Sequence, residues 1–313
     1  MRRVFGPVPS RRLGRSLGID PLPARVCSFD CVYCQLGRTR FKTVTPSELV
    51  PTAEIMDELS DALSRLTEED VDWITFVGSG ETTLHSGLGE MIRQVKAMTS
   101  TPVAVITNGS LLDLPEVREG LEAADVVMPS LDAGSPELFE RVNRPHQGVS
   151  FERHLEGLVA FRRGYAGALW LEVMLVSGLN DDLESLTDLA GAIARVEPDQ
   201  VHLDLPTRPP AEPWVKPADA EGVMRAQAIL GREAKVVSPA EGDFELTSAG
   251  DPVAAIVEII SRHPMSREEV AETLGRVLPG AVEERLEEIE ASGRVQVVER
   301  HGARFWVAPN SGF

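Results

Sequence analysis

The sequence predicts an α/β protein with parallel strands, followed by a small domain of the winged-helix type. For about 220 residues, short β-rich runs alternate with amphipathic helical segments. Such alternation is typical of parallel strands joined by right-handed crossovers. Near residue 250 the alternation stops, and three helical segments lead into a predicted β-hairpin. We therefore expect a core domain at residues 1–245 and a second domain at 250–313.

Seven strands are predicted in the core domain from runs of β-branched and other apolar residues. They are LGID (17–20), WITFV (73–77), PVAVI (102–106), DVVM (125–128), LWLEVML (169–175), QVHLDL (200–205) and AKVV (234–237). Between them, segments such as the one containing Ile55, Leu59 and Leu63 place apolar residues on one helical face. In sheets and barrels of this kind, site residues lie on the loops that follow the strands.

The carboxy-terminal segment predicts helices at about 252–262, 266–274 and 280–291. Strands RVQVV (294–298) and RFWVA (304–308) follow, joined by a turn at His301-Gly302. The helix that would read DNA contains EERLEEIE (283–290), which carries five glutamates. Because these would repel phosphate, sequence-specific DNA binding is disfavoured. A structural or partner-docking module is the better prediction.

The distribution of charge separates the first 42 residues from the rest. The net charge is −18, which disfavours non-specific binding to nucleic acid. Residues 1–42 nevertheless carry nine Lys and Arg against two Asp, a net of +7, which leaves −25 for the remainder. This basic segment is either a solvated face or a funnel for an anion or an acidic redox partner. No apolar run is long enough to span a bilayer and no secretory signal is predicted.

All three cysteines lie in one short stretch, CSFDCVYC, at Cys27, Cys31 and Cys34. An odd, clustered set argues against a disulfide framework and for a reducing cytoplasm. Three unrelated buried thiols and a zinc site completed by a histidine are the alternatives, although none of the six histidines lies in an obvious partner motif. Thiolates also suit iron–sulfur clusters. Three of them would leave one iron of a four-iron cube open to another ligand.

The spacing C-x3-C-x-aromatic-C, with Tyr33 before the last cysteine, resembles the signature of the radical S-adenosylmethionine (radical SAM) superfamily. The resemblance implies an enzyme with a [4Fe–4S] cluster whose open iron is chelated by S-adenosylmethionine (SAM). Reductive cleavage of SAM would yield a 5′-deoxyadenosyl radical that abstracts hydrogen from a substrate. It further implies a partial (β/α)6 barrel, and reduced flavodoxin or ferredoxin as the electron donor.

Two further motifs resemble those of the superfamily. In FVGSGETTLH (76–85), Gly78, Ser79 and Gly80 would let the backbone approach SAM, and Glu81 would meet its ammonium group. A tight turn that starts a helix is the alternative for this motif. In TNGS (107–110), Asn108 and Ser110 would hydrogen-bond the ribose or simply cap a helix.

The ends of later strands supply three more candidate cofactor-binding residues. Ser130 and Asp132 belong to a Ser-Leu-Asp segment that also resembles the superfamily. Glu172 interrupts an otherwise apolar strand, and a buried acid is costly unless it is paired. We expect Glu172 to contact SAM or substrate rather than to form a structural bridge.

The resemblance covers roughly residues 5–240. The segments GPVPSRRLGRSLGID and PTRPPAEPWVKP look closest to a branch related to the wyosine-forming tRNA enzymes. Those enzymes have a second cysteine set for an auxiliary cluster, and this chain has no cysteine left for one. Wyosine formation is therefore disfavoured.

Substrate-side residues are expected at the barrel mouth. In the proline-rich loop, Arg208 and Trp214 could bind an anionic or planar group, or the loop is a rigid surface crossing. Two further sets of polar residues suggest that the substrate carries an anionic group. One lies at a strand-end loop and contains Arg141, Asn143, Arg144 and His146. The other is in the amino-terminal segment and contains Arg11, Arg12 and Arg15.

Three functions follow in order of preference. The first is a radical SAM enzyme acting on a small molecule or a macromolecular side chain, with Glu172 and Arg208 nearest the substrate. The second is a radical SAM enzyme that modifies tRNA or a nucleotide. The third is a regulator that senses redox state through the cluster and binds DNA through the winged helix.

Overall fold

The core of the protein is a mixed α/β unit built on one parallel-rich sheet. The computed structural model describes residues 2–231, 234–237, 251–278, 280–300, 302–309 and 311. In spatial order, the eight strands of the sheet are β1 (Val4–Ser10), β2 (Gly14–Ile19), β5 (Trp73–Phe76), β6 (Val103–Thr107), β7 (Val126–Pro129), β8 (Ala168–Met174), β9 (Gln200–Asp204) and β10 (Ala234–Val236). The two remaining strands of this part, β3 (Val26–Cys27) and β4 (Phe41–Lys42), form a small parallel pair.

All seven predicted strands are confirmed, and they run parallel from β2 to β10. Strand β1 was missed by the sequence analysis. It pairs antiparallel with β2 and forms a hairpin at one edge of the sheet. Its sequence, VFGPVPS, contains two prolines and a glycine, which read as a loop. An edge strand tolerates proline because one side of its backbone needs no ladder hydrogen bonds.

Within the residues that the structure describes, seven helices connect the strands of the sheet. They are α1 (Thr52–Leu63), α2 (Leu88–Met98), α3 (Pro115–Leu121), α4 (Pro136–Val142), α5 (Phe151–Gly164), α6 (Leu183–Val196) and α7 (Ala220–Leu230). In α2, Leu88, Met91, Ile92 and Val95 are all buried. Each such side chain contributes roughly 1.5–3 kcal/mol by leaving water. The helices thereby fix the strand ends, and with them the loops that carry the candidate site.

The carboxy-terminal part contains the predicted three helices and a hairpin. Its elements are α8 (Pro252–Ile260), β11 (Met265–Ser266), α9 (Arg267–Val277), α10 (Val282–Ala291), β12 (Gln296–Arg300) and β13 (Ala303–Val307). We call residues 251–311 the C-terminal module. Its apolar side chains form a cluster of their own around Ile256, Leu274, Ile289 and Trp306. The winged-helix classification stays a prediction, and the expected domain boundary and His301 lie outside the described residues.

A buried arginine of the C-terminal module contacts the β1–β2 hairpin and Asp20, the residue that follows β2. The Nε of Arg262 donates to Asp20 Oδ2 at 2.9 Å, and the exposed fractions of the two side chains are 7% and 0%. The same guanidinium lies 4.8 Å from the centre of the Phe5 ring. This contact brings the module to the end of β2, beside the cysteine loop. Within the described part of the chain, no helix has the length and apolar character that crossing a bilayer requires.

Candidate functional site

The three cysteines lie on the loop that follows β2, where the sequence predicts a site. Cys27 belongs to β3, whose pairing with β4 closes the base of the loop. The backbone N–H of Cys34 donates to the carbonyl of Cys31 at 3.1 Å, so these two thiols follow one another in a tight turn. All three side chains are half-buried, and none is in a disulfide.

Two asparagine amides hold two of the cysteine sulfurs. Asn108 Nδ2 lies 3.5 Å from Cys27 Sγ, and Asn143 Nδ2 lies 3.6 Å from Cys31 Sγ. The backbone N–H of Phe29 also donates to Cys27 Sγ, at 3.4 Å. N–H groups directed at sulfur stabilise the thiolate form, which is the form that ligates metal. The sequence predicts Asn108 near a ribose and Asn143 near the substrate, and nothing in either local motif points to the cysteines.

Without a compensating positive charge, the cysteines would be protonated thiols. Burial raises the pKa of Cys27 to about 12, and the nearby Glu81 carboxylate adds to the effect. Burial raises the pKa values of Cys31 and Cys34 as well. A metal centre at the loop would supply the missing positive charge, and thiolates are the soft donors that iron–sulfur clusters take. The donor set therefore fits such a group.

The described residues contain no site for a single metal ion. There, no three or more His, Cys, Asp or Glu side chains converge so as to hold a single ion. In a four-iron cube each thiolate binds a separate iron, so this finding leaves the cluster assignment as it stands.

Glu81 is deeply buried at the start of the turn after β5. Its Oε1 accepts hydrogen bonds from Thr83 N at 2.9 Å and from Thr107 Oγ1 at 2.5 Å. Its Oε2 accepts from the backbone N–H of Asn108 at 2.6 Å. Burial raises the pKa of Glu81 while these donors oppose the rise. The carboxylate thus joins the loop after β5 to the loop after β6 and fixes the backbone of Asn108.

The glycines of the GSGE turn are required by packing against the protein itself. A Cβ on Gly80 would lie 1.8 Å from the carbonyl oxygen of Val26, and one on Gly78 would lie 2.6 Å from Leu22 Cδ1. Ser79 is bound by Asp20, which accepts from its backbone N–H at 3.0 Å and from its Oγ at 2.6 Å. The backbone of the turn is therefore held from both sides.

At the end of β7, the carboxylate of Asp132 accepts three hydrogen bonds. The Tyr33 hydroxyl and Asn143 Nδ2 both donate to its Oδ2, the latter at 2.6 Å, and Met174 N donates to Oδ1 at 2.8 Å. Tyr33 and Asn143 each adjoin Cys31, so Asp132 orients the second half of the cysteine loop. Ser130 forms a backbone bridge with Glu172, and its carbonyl accepts from His154 Nε2 at 3.1 Å. Ser110 Oγ lies 2.6 Å from Ser28 Oγ, again against the cysteine loop.

Glu172 forms an ion pair with another side chain of this protein, Arg12. Its Oε1 lies 2.5 Å from Arg12 Nη2, and Arg12 Nη1 also donates to both oxygens of Asp204, at 3.0 and 2.8 Å. Burial raises the pKa of Glu172, and the Arg12 guanidinium opposes the rise. The bridge that the sequence analysis held less probable is thus present in the structure. It ties the β1–β2 hairpin to the ends of β8 and β9.

The remaining substrate-side candidates separate into those at the cavity and those away from it. Arg208 lines the cavity and forms a two-pronged ion pair with Glu269, one arm of which measures 2.6 Å. Arg144 pairs with Glu212 at 2.5 Å, and Trp214 is half exposed. Neither Arg144 nor Trp214 belongs to the cavity wall.

One cavity of about 550 Å³ connects these features. Its wall includes Cys34 and Tyr33, the backbone of Gly78–Gly80, and Arg11 of the β1–β2 hairpin. The C-terminal module contributes Arg262, His263, Glu269, Glu272 and Arg276 to the wall. The volume lies within the range of small-molecule sites.

Comparison with known proteins gives one family and several relatives. Residues 22–190 match the model of the Radical SAM superfamily. A UPF0026 protein of Methanocaldococcus jannaschii is 34% identical over 88% of this chain and 87% of its own length. A protein of Brachyspira hyodysenteriae described as GTPase Obg is 42% identical over 72% of this chain, but the match covers only 33% of that protein.

Solved structures support the fold. A radical SAM methyltransferase from Sphaerobacter thermophilus aligns with a TM-score of 0.51 and 18% identity, over 71% of this chain and 66% of that one. SuiB of Streptococcus suis bound to S-adenosylmethionine aligns with a TM-score of 0.51 and 15% identity, over 72% of this chain and 52% of that one. At these identities the likeness concerns the fold of the sheet and its helices.

Proposed function

Because the chain belongs to the radical SAM superfamily of enzymes and to the UPF0026 proteins, we propose that it cleaves SAM reductively and abstracts hydrogen from a substrate. In this proposal Cys27, Cys31 and Cys34 hold a [4Fe–4S] cluster. The observation that carries it is the pair of amides, Asn108 and Asn143, directed at Cys27 and Cys31 beside a cavity that Cys34 borders. When bound, the cluster supplies an electron and an open iron site for SAM.

Different residues of the chain would bind SAM and orient the cysteine loop. Asp20 and Glu81 fix the turn Gly78–Gly80, whose backbone borders the cavity and would receive SAM. Asp132 holds Tyr33 and Asn143 against the cysteine loop. In this proposal Glu81 acts by positioning, since its oxygens accept from four protein donors in two neighbouring turns.

The finer features of the fold belong to the same proposal. The parallel strands β2 to β10 would curve into a partial (β/α)6 barrel whose loops hold the cofactors, with a core domain at 1–245 and a winged-helix domain at 250–313. Arg12 and Glu172 would shape the floor of the site, and Arg208 would lie on the substrate side. Reduced flavodoxin or ferredoxin, both acidic, would deliver electrons near the basic amino-terminal segment.

A tRNA- or nucleotide-modifying radical SAM enzyme is the second candidate. The observation that favours it is the +7 charge of residues 1–42. Several of these charges are engaged within the protein, however: Arg12 with Glu172 and Asp204, Arg15 with Asp72, and Arg38 with Asp30. Less of the charge is therefore available to a phosphate backbone.

The test is anaerobic reconstitution with iron and sulfide, followed by SAM and dithionite. We expect about four irons per chain for a [4Fe–4S] cluster and formation of 5′-deoxyadenosine. The Cys31→Ala variant should lose most of the bound iron and all SAM cleavage. An otherwise folded Cys31→Ala protein that keeps a SAM-responsive cluster would refute the ligand assignment. Mass spectrometry for deuterium passed from candidate substrates into 5′-deoxyadenosine would then identify the substrate.

A further inference from the structure

Three arginines of the β1–β2 hairpin region have different surroundings. Arg12 forms close ion pairs with Glu172 and Asp204, as described above. Arg15 is exposed and pairs with Asp72 at 2.9 Å, outside the cavity wall. Arg11 lines the cavity, and the contact of its guanidinium with Asp204 is a loose one of 3.7 Å. An ion pair at that distance is longer than a charge-assisted hydrogen bond.

The surroundings of Arg11 disfavour its positive charge. Its side chain is 23% exposed, and burial lowers its pKa. The carboxylates of Asp204 and Glu172 oppose that lowering of the pKa, but the neighbouring guanidiniums of Arg12 and Arg208 add to it. Asp204 is in turn shared with Arg12, which holds it through two hydrogen bonds. A bound anion would stabilise the charged guanidinium of Arg11, because it would supply both a negative charge and hydrogen-bond acceptors.

The C-terminal module places an uncharged imidazole on the same cavity. Burial lowers the pKa of His263 to about 3, and the charges of Arg208 and Arg11 contribute to the lowering. Arg208 itself is held by Glu269 of the module. The module also places two acids on the cavity wall, Glu269 and Glu272, of which Glu269 is paired with Arg208, and two further guanidiniums, those of Arg262 and Arg276.

We propose that Arg11 binds the anionic group of a small-molecule substrate in the cavity that the C-terminal module helps to line. This inference rests on the proposed function, because it concerns the substrate of the same site. A cavity of about 550 Å³ that also has to hold SAM leaves space for a small molecule with a carboxylate or phosphate. The C-terminal module forms part of the wall of this cavity, and the buried contact between Arg262 and Asp20 holds the module to the core.

The test uses inorganic phosphate as the probe. The full-length chain, without SAM or reductant, is titrated by calorimetry at low ionic strength. We expect one site in the wild-type protein, weakened at least about tenfold in Arg11→Gln, since a charge-assisted hydrogen bond contributes roughly 1.5–3 kcal/mol. Arg15→Gln is the matched control and should keep the affinity within about twofold. Arg11→Lys, which keeps the charge, should fall between wild type and Arg11→Gln.

Three outcomes would overturn the proposal. They are a wild-type protein that does not bind phosphate, equal weakening in Arg11→Gln and Arg15→Gln, and tRNA retained at about 150 mM salt through Arg11. The last outcome would assign Arg11 to a nucleic-acid phosphate instead. Because the titration needs neither SAM nor a reductant, its failure is separable from a failure of SAM cleavage.

Discussion

The guanidinium of Arg262 lies 2.9 Å from the carboxylate of Asp20, with both side chains buried and 242 residues between them in the chain. The same carboxylate holds Ser79 through its backbone N–H and its hydroxyl. One buried acid therefore connects the C-terminal module with the turn that is proposed to receive SAM.

Asp20→Asn should destabilise the protein and weaken SAM binding. The variant leaves the Arg262 guanidinium buried without its counter-charge, which typically costs about 3–5 kcal/mol. Urea unfolding would measure the loss, and equilibrium dialysis with the reconstituted protein would measure SAM affinity. Asp72→Asn, which removes the exposed pair with Arg15, should cost less than about 1 kcal/mol. If the two variants lose similar stability, the connection through Asp20 is not important.

Asn143→Ala should weaken iron binding without removing a ligand. The variant deletes the amide that donates to Cys31 Sγ and to Asp132. Loss of such a partner of a metal ligand typically costs about 10- to 100-fold in metal affinity or activity. The competition of a chelator for iron in the reconstituted protein would measure it. Asn180→Ala is the control, because Asn180 donates to backbone carbonyls of Asp132 and Met174. Equal iron loss in both variants would contradict a role at the sulfur.

Glu81→Gln should retain the cluster but loosen the turn at Gly78–Gly80. The amide NH₂ of glutamine would face a backbone N–H or a hydroxyl that now donates to Glu81. An unsatisfied buried donor costs about 1–3 kcal/mol. We expect that loss in urea unfolding, together with reduced SAM affinity. A variant with unchanged stability and unchanged SAM affinity would remove Glu81 from the site.

We expect the free energy of unfolding to fall in mild acid because of His154. Burial lowers its pKa from 6.5 to about 4, so the unfolded chain takes up the proton more readily than the folded one. The contribution of His154 to stability is complete above about pH 6.5 and is lost as the pH falls towards 4. Between pH 7 and pH 5 the loss amounts to about 2 kcal/mol. Urea unfolding of wild type and His154→Gln at both pH values would test this, and a variant that keeps the full wild-type pH dependence would rule out His154 as its source.

The sequence by itself determined the local features of this protein. The seven parallel strands could be predicted because apolar runs and helical spacing are read over a few neighbouring residues. The loop of Cys27, Cys31 and Cys34 could be placed after a strand for the same reason. Strand β1 was missed because its prolines are tolerated only at a sheet edge, and edge position is a property of the assembled sheet.

Only the tertiary structure decided which distant groups meet. Asn108 and Asn143 were expected near ligands, yet folding places them on Cys27 and Cys31, 81 and 112 residues away. Likewise, Glu172 is paired by Arg12, and Arg11 is left with a loose contact, although the two arginines are adjacent in the chain. The physical reason is that a side chain's partner depends on which strand ends and loops converge. Burial then determines whether its charge is satisfied, and neither property is encoded in the spacing of a local motif.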